Sequence, residues 1–125
     1  MKKILVVDDE VRIADITEKY LKMNGFDVVK AIGGEEAIAL LSGDTEFDLM
    51  VLDMKMPKVN GLCVIRKKEE LGIKFPVLLL TGSIDAEKYL DEMKKKGLTA
   101  EDILHKPIDL SELLEKIRKK LGQRR

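Results

Sequence analysis

Asp8, Asp9, Asp53, Thr81 and Lys106 are the side chains of this sequence whose placement suggests chemistry. Each lies at the end of a short apolar run. Asp8-Asp9-Glu10 follows Ile4–Val7, and Asp53 follows Leu49–Leu52. Thr81-Gly82-Ser83 follows Val77–Leu80, and His105-Lys106-Pro107 follows Asp102–Leu104. Carboxylates brought together repel and raise one another's pKa unless a cation intervenes. Carboxylate and water oxygens suit a hard divalent ion such as Mg²⁺. A carboxylate beside that ion, here Asp53, is a nucleophile toward a phosphoryl group and would form an aspartyl phosphate. The Lys106 ammonium would pair with Asp53 or a phosphoryl oxygen, and Thr81 would offer a hydroxyl. Phosphoryl transfer is mostly positioning and charge neutralisation, and this set supplies both.

Taken singly, each residue has a commonplace role. Asp8 or Asp9 could cap a helix and Thr81 could do the same. Asp53 could open a turn that Pro57, Asn60 and Gly61 complete, and Lys106 could be one more surface lysine. What distinguishes them is the set of elements that must carry them. Five short apolar runs, Ile4–Val7, Asp27–Ala31, Leu49–Leu52, Val77–Leu80 and Asp102–Leu104, read as strands. Between and after them, helical spacing predicts helices at Val11–Met23, Glu35–Leu41, Leu62–Leu71, Asp85–Lys96 and Leu110–Leu121. Asp109 and Glu112 stand in capping-box spacing at the last start. Strict β–α alternation implies an α/β fold, a doubly wound parallel sheet covered on both faces. Ligands of such sheets bind beyond the carboxyl ends of the strands, where the residues above fall. The second strand ends in Ile32-Gly33-Gly34, which offers no chemistry.

At 125 residues the chain reads as one domain, with a core of about residues 3–121 and a frayed basic tail, Gly122–Arg125, past which a longer natural protein could continue. Its 45% apolar and 37% charged content excludes a disordered chain. Lys plus Arg is 23 and Asp plus Glu is 23, so no global positive field exists to grip nucleic acid. The apolar runs are too short to span a bilayer or to form a signal peptide. One Cys and one His exclude a disulfide framework and an ordinary zinc site. A cytoplasmic location is expected.

With these residues in place, the sequence resembles the receiver domain of two-component response regulators, of the chemotaxis-protein type. The resemblance rests on Ile4-Leu5-Val6-Val7-Asp8-Asp9-Glu10, on Asp53-Met54-Lys55-Met56-Pro57 with Gly61, on Thr81-Gly82 and on Lys106-Pro107, and runs from Lys3 to Leu121. It implies a flavodoxin-like (βα)5 sheet of strand order 2-1-3-4-5. It implies that Asp53 accepts a phosphoryl group from a histidine kinase or histidine phosphotransfer protein. Asp9 and Asp53 would ligate Mg²⁺ directly, Asp8 through water, and Lys55 through its backbone carbonyl. Thr81 and Lys106 would each hold a phosphoryl oxygen. The face built by the fourth helix, fifth strand and fifth helix would then repack and signal to a downstream protein, as a monomer or a phosphorylation-dependent dimer. Catalysis would be limited to Mg²⁺-dependent self-phosphorylation and autodephosphorylation.

Ile103 stands where the family usually has an aromatic residue, three before the Lys. Other functions are weaker. An aspartate-nucleophile phosphatase carries a second Asp two residues past the nucleophile, where this chain has Lys55. A nucleotide or flavin binder needs a Gly-rich first loop, where this chain has Asp8-Asp9-Glu10. A degenerate receiver acting as a scaffold would not need the intact acidic set. His105 reads as a strand-end residue, Cys63 as a packing residue and Met54 and Met56 as gap fillers. Lys94–Lys96 and Arg118–Lys120 read as solvated helix ends.

Overall fold

The computed structural model describes residues 1–82 and 91–122. In chain order the elements are β1 (Lys3–Asp8), α1 (Val11–Met23), β2 (Asp27–Ile32), α2 (Gly34–Leu41), β3 (Leu49–Asp53), α3 (Gly61–Glu70) and β4 (Val77–Thr81). Helical residues 91–95 (α4) follow, then a 3-10 turn (Ala100–Asp102), β5 (Ile103–His105) and α5 (Leu110–Lys120). The expected helix at Asp85–Lys96 is therefore seen over 91–95, its residues 85–90 lying outside the described part. Of the expected tail, Gln123–Arg125 lie outside it too.

The five strands pair in parallel in the order β2-β1-β3-β4-β5. Alternation along them builds two cores. On β1, Leu5 and Val7 join one cluster, with Met50 and Leu52 of β3 and Val77 and Leu79 of β4. Residues of α2 and α3, such as Ala37, Leu41, Val64 and Ile65, close that face. Ile4 and Val6 point the other way, with Leu49, Val51, Leu78, Leu80 and Leu104, onto Leu21 of α1 and Leu113 and Ile117 of α5. A period of two thus buries both faces, and the strands read as continuous apolar runs because neither face is wet.

The register sets the strand tips side by side. Asp8 pairs with Ile32, Val7 with Leu52, Asp53 with Leu80 and Thr81 with His105. Asp8 continues the parity of Ile4 and Val6, and Asp53 that of Leu49 and Val51, so both belong to the α1/α5 side. Each strand runs one residue further than expected, taking in Asp8, Ile32, Asp53, Thr81 and His105, and β1 also starts one earlier, at Lys3, while β5 starts one later, at Ile103 and not Asp102. The Asp102 carboxylate accepts from the Thr99 N–H at 2.7 Å in a reciprocal capping arrangement, and Lys120 of α5 pairs with it. That side chain–backbone competition holds Asp102 in a turn.

Beyond β3 the chain reverses within a short loop. The Gly61 N–H donates to the Met54 carbonyl at 2.8 Å, and Asn60 caps α3 by accepting from the Cys63 N–H at 3.1 Å. A Cβ on Gly61 would lie 2.9 Å from both the Asp53 carbonyl oxygen and Met54 Cα. These are backbone atoms that cannot swing away. Gly61→Ala is therefore expected to lower stability by about 1–3 kcal/mol, read from urea unfolding, because the strand end and the helix start must separate.

Candidate functional site

The ends of β1 and β3, the segments after β4 and β5, and the β3–α3 loop enclose one cavity of 580 Å³, lined by Asp9, Glu10, Asp53, Lys55, Met56, Pro57, Gly82 and Lys106. Asp53 is 1% exposed at its edge and Asp8 2% exposed behind it. Asp8 does not cap α1. Its Oδ1 accepts from the Glu10 N–H at 2.9 Å, closing an Asx turn, while its Oδ2 is buried without a hydrogen-bond partner. Asp9 is half-buried. Among the described residues, Asp8, Asp9 and Glu10 bring ligand oxygens within 4.8 Å of one another. Glu10 is thus a member of the tight acidic group that spacing did not single out. Asp53 faces the same cavity from the next strand.

Lys106 reaches this group from the end of β5. Its N–H donates to the Thr81 carbonyl at 2.8 Å, which ties the segment to β4, and the Lys106-Pro107 bond is cis. Its Nζ stands 3.0 Å from Asp53 Oδ1. The ion pair is close but outside hydrogen-bond alignment, so both Asp53 oxygens lack an aligned donor. Thr81 is buried, and its hydroxyl donates to the Gly82 carbonyl at 3.0 Å. His105 is exposed, and Met54 and Met56 are buried in the core, as packing residues should be. Ser83, also named at this strand end, lies outside the described residues.

The electrostatics follow from burial. Desolvation raises Asp53 to a pKa of about 6; the Lys106 ammonium pulls it down, and Asp8 and Asp9 push it up. Burial also raises Asp8, against the Glu10 N–H and Lys106, which lower it. Burial disfavours the Lys106 charge, but Asp53 and Asp8 outweigh that and raise its pKa. Partnerless buried carboxylate oxygens are costly in isolation, and this donor set, all oxygen and hard, fits a divalent cation of the Mg²⁺ class.

Gly34, at the strand end that looked mute, has a structural part in the site. A Cβ there would lie 2.4 Å from the Val59 carbonyl oxygen, so the start of α2 presses directly on the β3–α3 loop. No spacing rule announces such a contact, since it joins segments paired only in three dimensions.

A model of the response regulator receiver domain matches residues 4–118. The response regulator SaeR of Staphylococcus aureus is 36% identical over 117 residues, which are 94% of this chain and 49% of that protein. The chain therefore spans about half the length of the curated relatives it matches. The receiver domain of the Francisella response regulator 1452 superposes with a TM-score of 0.85 at 29% identity, covering 98% of each chain. The Vibrio cholerae chemotaxis protein CheY4 superposes at 0.83 and 32% identity, over 97% of this chain and 99% of that one.

The raised Asp53 pKa has a sign. Between pH 3.8 and about 6 the folded state holds a proton that the unfolded chain has released. Stability is therefore lost as pH rises through this window, and above it the charge opposes folding in full. Asp53→Asn removes the charge but leaves Lys106 without that partner. Metal-free Asp53→Asn is expected to be about 1–3 kcal/mol more stable than wild type at neutral pH, a gap that closes toward pH 4 in urea titrations.

Proposed function

The chain belongs to the response regulator receiver domain family, and from that premise we propose that it is a phosphorylation-controlled switch whose acceptor is Asp53. We read the whole chain as a single receiver module, acting in the cytoplasm. The reading rests above all on one observation. Asp53 is a buried carboxylate without an aligned donor, beside an ammonium and a tight acidic group.

In this reading Asp9 and Asp53, with Asp8 behind them and the Lys55 carbonyl on the loop, would hold Mg²⁺. Bound there, the ion would offset carboxylate repulsion and neutralise charge on the transferring group. The chain's own residues do the rest. An Asp53 oxygen attacks phosphorus, the P–N bond of a phosphohistidine breaks, and the imidazole leaves with its electron pair. Lys106, already 3.0 Å from Asp53, moves its pairing to a phosphoryl oxygen. To donate to that group, the Thr81 hydroxyl must leave the Gly82 carbonyl. This exchange makes Thr81 two-state, and it can bias the packing of β5, where Ile103 lies against the core. The signal passes to a downstream protein through the α4–β5–α5 face, with phosphorylation-dependent pairing of two copies as one output.

A neighbouring groove supports a protein as the phosphodonor. It has a volume of 340 Å³ and an apolar lining of Ile13, Ile16, Pro107, Ile108 and Leu110. Glu10 and Lys106 belong to both groove and acidic cavity, so a partner seated in one faces the other. Of the groove residues, Ile16 is 48% exposed and open to a partner.

The test uses two donors. With Mg²⁺ and a small phosphodonor, label is expected on Asp53, absent in Asp53→Asn and absent without the metal. Label on His105 would overturn the assignment, and many turnovers of an aryl phosphate would favour a phosphatase. Ile16→Glu is expected to slow transfer from a phosphorylated histidine protein about tenfold or more, while leaving small-donor labelling unchanged.

A further inference from the structure

Lys58, in the β3–α3 loop, is the non-glycine residue with a positive φ among the described residues, at 65°. The Val59 N–H donates across it to the Pro57 carbonyl at 2.7 Å. Lys58 is thus the centre of a γ-turn with positive φ, a conformation that strains a residue carrying a Cβ. Such strain persists where the surroundings over-determine it. Here they do. Met56 is buried ahead of the turn, and Val59 is pressed by Gly34 after it. Gly61 is held to Met54 by its N–H, in a packing so close that a Cβ there would lie 2.9 Å from the Asp53 carbonyl oxygen.

The position of the turn gives the strain a purpose. Lys55, Met56 and Pro57 form one wall of the acidic cavity, and the γ-turn begins at the carbonyl of Pro57. A looser turn would let that wall sample many shapes, and a cation would then have to order it on binding. We infer that Lys58 is a positioning residue whose strained turn holds the Lys55–Pro57 wall in its cation-binding shape before any cation arrives. Fold stability is exchanged for preorganisation. The inference rests on the magnesium reading above.

The test compares Lys58→Gly with Lys58→Asn. Both remove the ammonium, so their difference excludes its effect on cation affinity. Asn tolerates a positive φ but keeps a restricted backbone, whereas Gly relieves the strain and frees the turn. Urea unfolding without metal and NMR-followed titration with MgCl2 are measured on both variants and wild type. Lys58→Gly is expected to have the highest urea midpoint, yet to bind Mg²⁺ about three- to tenfold more weakly than Lys58→Asn. Equal Mg²⁺ affinities for the two variants would overturn the inference while leaving the metal site standing. A lower urea midpoint for Lys58→Gly would show that the turn is unstrained, and would overturn it too. Failure of wild type to bind Mg²⁺ would remove the metal site, and the inference with it.

Discussion

The structure turns on a repulsion. Parallel pairing in register brings Asp8 and Asp53 to neighbouring strand ends, and the α1 junction adds Asp9 and Glu10. Water is largely excluded from the first two, and Asp53 responds by holding its proton to a pH of about 6. Lys106 eases this arrangement without satisfying it, since it stands close to Asp53 but off the hydrogen-bonding direction. A fold tolerates such a cluster only if the rest of the chain is comfortable. Here two apolar cores, one on each sheet face, supply that margin. The unmet demand of the carboxylates for positive charge is what a divalent cation, and then a phosphoryl group beside Lys106, would answer.

Much of this was legible in the sequence because it is local. Apolar runs of period two with helical segments between them fix the element order, and strand ends in an α/β sheet locate the site. Asp8, Asp53, Thr81 and Lys106 fall where that logic puts them. What stayed hidden depends on contacts between distant segments. Asp102 reads as a strand residue until Lys120 and Thr99 are seen around it, although Thr99-x-x-Asp102 carries capping-box spacing. Gly34 looks inert until Val59 is found against it. Lys58 carries no turn signal of its own, and a positive φ there follows from loop closure. Glu10 joins the acidic group because the Asx turn on Asp8 bends the chain, which residue type alone does not reveal.

The equality of 23 basic and 23 acidic residues does not spread evenly over the site, where three acids and Asp53 face Lys106. In a parallel sheet with helical crossovers, each helix begins at the carboxyl edge of the strands and ends at the opposite edge. The acidic cluster therefore shares its edge with helix N-termini, whose partial positive charge softens the repulsion. The opposite edge receives helix C-termini, and the last turns of α3 and α5 carry basic residues: Lys67 and Lys68 in α3, and Arg118, Lys119 and Lys120 in α5. Lys68 donates to the Ile73 carbonyl, Lys96 pairs with Glu69 and Lys120 with Asp102, so these cations hold backbone ends and connections in place. Cations at that edge are thus met by acids such as Glu69 and Asp102 as well as by helix ends. A phosphoryl group added at Asp53 would place its charge at the edge where helices start and beside Lys106.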